Sequence, residues 1–425
     1  MFLYVVSQGD NLYNLSRRYN VPLSVLIEDN GISDPDKLAV GQSLIIRSKN
    51  FTYEIKSGDT LYGISRRFGI SVEQILRKNE KLSKEGIIYP GQQILISYEN
   101  EHKVPMEING YSYPTISTEL LRKTLPHLTY ITVFSYRVNK DGSLVDIDDE
   151  RIIREAYNAK VAPMMSVTNI LEEGGFDSSL AHAVLANETV SNRLIDNIVK
   201  IAKQKNYYGV NLDFEYVYPE DKENYNLFLD KIASRFTKED LMLTTSLAPK
   251  ERGDKKGLLY EAHDYNYHGR KADRVILMTY EWGYTYGPAM PVAPINRVEG
   301  VISYAVRVIP SKKILMGIPN YGYDFKVPFV EGVAAQSLSN TEAVDLAIEN
   351  GVEIKYDIEA QTPYFDYKEG NQMHRVYFED ARSIAAKILL AIDYNLGGLN
   401  YWTLKDYFPQ NWVLVEYYLN VKKLI

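Results

Sequence analysis

The chain has 425 residues, 45% hydrophobic and 24% charged, which is enough apolar content for a sizeable core and more than one domain, and too much for disorder. A net charge of −7 gives no electrostatic reason to bind nucleic acid or an anionic membrane, and the lack of cysteine excludes thiol catalysis, disulfides and thiolate metal sites. No apolar run reaches membrane-spanning length, and the stretch from Met1 to Val6 turns polar at once, so we expect neither a membrane helix nor a signal peptide.

The first feature along the chain is a repeat. YVVSQGDNLYNLSRRYNVPLSVLIEDN from Tyr4 realigns with YEIKSGDTLYGISRRFGISVEQILRKN from Tyr53. Later in each copy, Gly41-Gln42 and Leu44-Ile45-Ile46 match Gly91-Gln92 and Ile94-Leu95-Ile96. Each copy predicts a short strand, a Gly-Asp turn whose Asp caps a helix, a second helix and a closing strand. Leu12, Leu15 and Tyr19, matched by Leu61, Ile64 and Phe68, form one helical face, and Ser71 with Gln74 predicts a capping box. The expected units are two βααβ modules, residues 1–49 and 50–98. Both resemble the LysM family. That resemblance implies binding of N-acetylglucosamine-containing glycans such as peptidoglycan or chitin, at a site between the first helix with its preceding loop and the loop before the last strand. It places candidate contacts at Gly9, Asp10 and Asn11 and at Gly58, Asp59 and Thr60, although turn formation explains these residues equally well.

From residue 99 to 425 the texture changes. Strand-sized apolar runs at Met106 to Ile108, Tyr130 to Tyr136, Ala162 to Val167, Gly209 to Phe214, Met242 to Leu247, Val275 to Tyr280, Ile314 to Ile318 and Leu399 to Leu404 alternate with helical stretches such as His182 to Lys203, Tyr225 to Phe236, Val298 to Val308 and Ala381 to Asp393. This alternation predicts an α/β fold, a TIM (β/α)8 barrel. The long gap before the eighth run, with its EIKYDIEAQTPYFDY stretch, predicts an α+β insertion between strands 7 and 8 near residues 325–378.

The segment YYGVNLDFEYVYPE, from Tyr207 to Glu220, carries the candidate chemistry. Alternate residues of a strand share a face, so Asn211, Asp213 and Glu215 point together towards the barrel mouth. Buried carboxylates are costly, and no basic partner lies in the segment to neutralise them. The segment resembles the Asp-Gly-x-Asp-x-Asp-x-Glu signature of glycoside hydrolase family 18, with Tyr208 and Asn211 at its first two acidic positions. Met278-Thr279-Tyr280-Glu281, Gly317-Ile318-Pro319-Asn320-Tyr321-Gly322 and Gly398-Leu399-Asn400-Tyr401-Trp402 resemble further motifs of that family, in the same order.

The resemblance implies a retaining, substrate-assisted mechanism in which the sugar's own acetamido oxygen is the nucleophile. Glu215 would be the general acid, Asp213 would hold the acetamido N–H, and Tyr280 would aim the acetamido oxygen. Asn211, Glu281, Trp402, Asn320 and Tyr321 would bind or orient the sugar. No cofactor or metal is implied. Two LysM modules joined to such a barrel resemble the members of the family that act on spore cortex. A monomeric N-acetylglucosaminidase of the spore coat and cortex region, cutting after N-acetylglucosamine during germination, is therefore expected. A chitinase of the same mechanism and a catalytically silent glycan-binding lectin are the alternatives.

Overall fold

A computed structural model describes residues 1–68, 70–79, 82, 86–97 and 103–425. The expected junction between second module and barrel, at residues 98 and 99, lies outside them. Eight strands form the barrel: Val104–Ser112, Tyr130–Arg137, Ala162–Thr168, Gly209–Asp213, Met242–Leu247, Arg274–Leu277, Ile314–Pro319 and Gly398–Trp402. They pair in parallel in chain order, and the eighth closes on the first with Gly398 opposite Glu107. The third strand is buried along its whole length, as a strand between a filled interior and a helical shell must be. The barrel strands are those expected, with shifted ends. The helix expected from His182 to Lys203 is instead two, Ser178–Leu185 and Glu188–Gln204. The break lies at Asn187, whose Oδ1 accepts from the Thr189 and Val190 amides at 3.0 and 3.2 Å and caps the second helix.

Inward-facing residues fill the barrel in layers. At the bottom the Glu107 carboxylate takes a bidentate pair from Arg274, at 2.5 and 2.7 Å, and a hydrogen bond from Tyr130 at 2.9 Å. Above it, Asn109 donates to Asn400 at 2.7 Å and accepts from Thr132 at 2.9 Å. Tyr111, Ile276 and Leu315 close the layer beneath Trp402. The insertion is a five-stranded antiparallel sheet running from Gly322–Val327 to Gln372–Tyr377. Its helix, Asn340–Glu349, opens with a Ser339–Glu342 capping box and buries Ala343 and Ala347 against Phe365, Val376 and Phe378.

In the first module, strands Phe2–Val5 and Ser43–Ile46 pair antiparallel around helices Leu12–Tyr19 and Leu23–Asn30. In the second, Asn50–Glu54 and Gln93–Ser97 enclose Leu61–Phe68 and Val72–Lys78. The Ser71–Gln74 capping box is present. The Gly-Asp turn works differently from expectation. Asp10 accepts from the Tyr4 hydroxyl at 2.6 Å and the Ser7 amide at 2.8 Å, and the cap is the next residue, Asn11, which accepts from the Asn14 amide. Asp59 and Thr60 repeat this division. An Asp held by a tyrosine in the preceding strand closes the turn and leaves capping to its neighbour.

The two modules share one aromatic core, in which Phe2 lies 4.8 Å from Phe51 and 5.6 Å from Phe68 between ring centroids. The first module is also joined to the barrel. Gln410 donates to Asn30 Oδ1 at 2.9 Å and to the Ser43 carbonyl at 2.7 Å, and Ile45 belongs to the barrel's own core cluster.

Candidate active site

The fourth barrel strand ends at Asp213, and the chain turns immediately, with Tyr216 in the left-handed region at φ 53°. Glu215 thus lies just past the strand, where its backbone lacks a ladder partner. Asn169, directly after strand three, supplies one: its Oδ1 accepts from the Glu215 amide at 3.0 Å and its Nδ2 donates to the Glu215 carbonyl at 2.8 Å. Asp213 and Glu215 line the floor of an open cleft, together with Tyr111, Tyr280, Glu281 and Trp402.

The floor is buried and acidic. Burial pushes Asp213 up to about 7, opposed by the Ser246 hydroxyl, and its Oδ1 has no protein partner. Burial, then the negative charges of Asp213 and Glu281, push Glu215 well above the usual carboxylate range. Desolvation also raises Glu281, opposed by Tyr321 and Tyr323, which both donate to its Oε1. Burial and the neighbouring Tyr111, Asp213 and Glu215 push the Tyr280 phenol far up, so it remains a donor at any working pH. Trp402 is fixed edge-on by Phe134 and Tyr111, at 4.9 and 5.3 Å between centroids. An acid whose burial favours its protonated form, an acceptor oxygen with a free lone pair and a phenol donor therefore share one aromatic-walled site.

Other residues singled out from sequence occupy supporting positions. Asn211 is fully buried below the cleft and does not line it. Its amide accepts from Tyr111 at 2.9 Å and donates to Thr244 and Ser246 at 3.0 and 3.2 Å, so a role touching sugar does not fit its place. Asn320 ties strand seven to the chain after strand eight, donating to the Thr403 and Asp406 carbonyls at 3.0 and 2.8 Å. With Tyr321 it borders a second depression on the other side of Trp402. The sequence does not single out Asn169, Tyr111 or Ser246: the first apolar run ends at Ile108, short of Tyr111, and the one signal for Asn169 is its place at the end of a strand. The loops of Gly9 and Gly58, each at φ 87°, stand at the module surface and are not part of this cleft. Among the described residues no group of three or more His, Asp or Glu is arranged to hold a metal.

Comparison with known proteins agrees with this geometry. The model of glycosyl hydrolases family 18 matches residues 94–406, and that of the LysM domain matches residues 4–47 and 53–97. The chain is 40% identical to the cortical fragment-lytic enzyme of Bacillus subtilis, covering 100% of this chain and 99% of that protein. Crystal structures of the spore cortex-lytic enzyme SleL superpose on it over nearly the full length of both chains. That of Bacillus cereus has a TM-score of 0.89 at 36% identity, covering 99% of this chain and 98% of the other. That of Bacillus megaterium has a TM-score of 0.86 at 37% identity, covering 100% and 99%.

Proposed function

Because the chain belongs to glycosyl hydrolases family 18 and is a glycoside hydrolase carrying two LysM domains, we propose that it hydrolyses spore-cortex peptidoglycan as an N-acetylglucosaminidase with net retention. The observation that carries this reading is the unpartnered Asp213 Oδ1 beside a strongly proton-retaining Glu215 and the Tyr280 hydroxyl.

In this mechanism Glu215 gives its proton to the glycosidic oxygen as the bond to the anomeric carbon breaks. The acetamido oxygen of the same sugar attacks that carbon from the opposite face and forms an oxazolinium ring, so no protein carboxylate becomes covalently attached. Asp213 Oδ1 accepts the acetamido N–H and balances the positive charge, and Tyr280 donates to the acetamido oxygen and aims it. Water then opens the ring, losing its proton to the Glu215 carboxylate, which restores the acid. Trp402 carries the sugar, Glu281 orients the tyrosine side of the floor, and Gly9, Asp10, Asn11, Gly58, Asp59 and Thr60 are candidate glycan contacts of the modules.

The chemistry selects the substrate, since the attacked sugar must carry a free acetamido group. A muramic lactam has none. N-acetylglucosamine and N-acetylmuramic acid both carry one, and in cortex, where such lactams occur, the reading places the scissile bond after N-acetylglucosamine and the site of action in the spore during germination. Mass spectrometry of cortex digests tests this directly: fragments with N-acetylglucosamine at the reducing end are expected, and Glu215→Gln should yield none. Muramic residues at the new reducing ends, or full activity of Glu215→Gln, would overturn the reading. Release of soluble products from chitin but not from cortex would favour the chitinase.

A further inference from the structure

The two LysM copies are alike in sequence but sit in different surroundings. In each, the loop before the closing strand is held against the end of the first strand, just ahead of the Gly-Asp turn, by the same bond, from Gly41 to the Val6 carbonyl and from Gly91 to the Ile55 carbonyl, both at 2.8 Å. A Cβ on Gly86 would lie 3.3 Å from Leu61, so in the second copy this loop overlies the start of the first helix. The two loops thus stand side by side in each module as its two lips.

In the first module the second lip is covered where it packs on the barrel's insertion, while the Val40 side chain stays 37% exposed. Ala39 is only 5% exposed and packs in the core of the barrel's insertion with Ile354 and Phe365. The Ile354 amide donates to the Val40 carbonyl at 2.9 Å, and Arg382 donates to the Gly41 carbonyl at 3.2 Å. Arg382 is itself held by Asp380 and lies 4.2 Å over the Tyr356 ring. In the second module the matching residue, Tyr89, is 65% exposed, and a Cβ on Gly91 meets nothing within 4 Å. An exposed ring beside a polar turn suits the apolar face and hydroxyl edge of a pyranose.

We propose that the modules have divided their work: the second holds the N-acetylglucosamine-containing glycan strand, with Tyr89 in its lip, and the first is a docking piece that fixes the second to the barrel. This rests on the reading of the modules as glycan-binding. The occupant is a strand of the polymer that the barrel cuts, because both copies match the LysM model and, at the matched position, Tyr89 is exposed while Ala39 is buried.

The test uses the full-length chain with Glu215→Gln to stop turnover, sedimented with insoluble peptidoglycan sacculi. Tyr89→Ala should weaken retention about tenfold, whereas Val40→Ala, in the corresponding lip of the first module, should leave it within about twofold. Unchanged melting temperatures would show that both variants fold. Retention unaffected by Tyr89→Ala, an equal loss in both variants, or a parent that does not sediment would each overturn the division. Cortex hydrolysis by the unmutated chain is measured in parallel; its absence would sink the catalytic reading while the two retention values still decide this one.

Discussion

The amide of Asn169 brackets the peptide of Glu215 from both sides, accepting from its N–H at 3.0 Å and donating to its C=O at 2.8 Å. The same Nδ2 also reaches the Asp177 carbonyl at 3.0 Å, so one buried side chain fastens the acid to the loop after strand three. Asn169→Ala leaves those backbone groups unpaired, and a stability loss of about 1–3 kcal/mol is expected. Catalysis should fall further than stability, because the acid is then misplaced rather than removed. We expect kcat to drop about 100-fold with KM nearly unchanged. Kinetics well below the melting temperature measure this, and an unaltered kcat in the folded variant would remove Asn169 from the positioning of Glu215.

Asp213 is the clearest case of activity set against stability. Burial disfavours the charge and pushes its folded carboxyl well above the unfolded value near 3.8, up to about 7. The folded state therefore binds the proton more tightly, and this group's contribution to stability is lost as pH rises from about 4 through about 7. A neutral amide suffers no such loss. Asp213→Asn should be clearly more stable than the parent at about pH 8, with little difference at about pH 4, while turnover falls by orders of magnitude. Removing one like charge also lowers the Glu215 pKa, so the alkaline limb of any residual activity moves down. Denaturant midpoints at the two pH values decide the stability claim, and a variant less stable at the higher pH would refute it.

Much of the barrel and the pair of carboxylates was legible because both rest on local periodicity. Asp213 and Glu215 stand out as charges on an otherwise apolar strand, and Trp402 closes a run that must be the last strand. Support for the site was harder to see. Ser246 and Tyr111 look like ordinary strand residues until the barrel closes and brings them within 2.8 Å of each other. Asn211 shows the limit of a motif: its place in the signature is recognisable, but its amide is engaged by Tyr111, Thr244 and Ser246 beneath the cleft. Docking of the first module was illegible, since Asn30 and Gln410 are 380 residues apart and their bond leaves no local pattern.

Gly41 and Gly91 form a matched pair for testing that docking. Both have φ 83°, so an alanine at either site carries the same left-handed strain of about 1–2 kcal/mol. At Gly91 the added methyl meets nothing within 4 Å, but at Gly41 it would lie 1.8 Å from the Ile354 carbonyl oxygen. Gly41→Ala should thus cost clearly more, above about 3 kcal/mol, through separation of the module from the insertion. Chemical denaturation of the two variants gives the difference directly. Equal losses would mean that the contact with Ile354 does not hold in solution.

Tyr280 offers a test of how the nucleophile is aimed. Its ring is 8% exposed and its hydroxyl faces the same floor as Asp213 and Glu215. Tyr280→Phe removes one oxygen and keeps the packing, so folding should change little. If the hydroxyl holds the acetamido oxygen only as that oxygen attacks, its loss lowers kcat and kcat/KM together, by about 100-fold, while KM stays put. The affinity for a thiazoline mimic of the oxazolinium ring should fall by a similar factor, because the mimic presents the ring form of the acetamido group. A role confined to packing would lower the melting temperature and leave the affinity for the mimic unaltered. Titration of the folded variant with the thiazoline therefore separates the two, and full retention of its binding would take Tyr280 out of the mechanism.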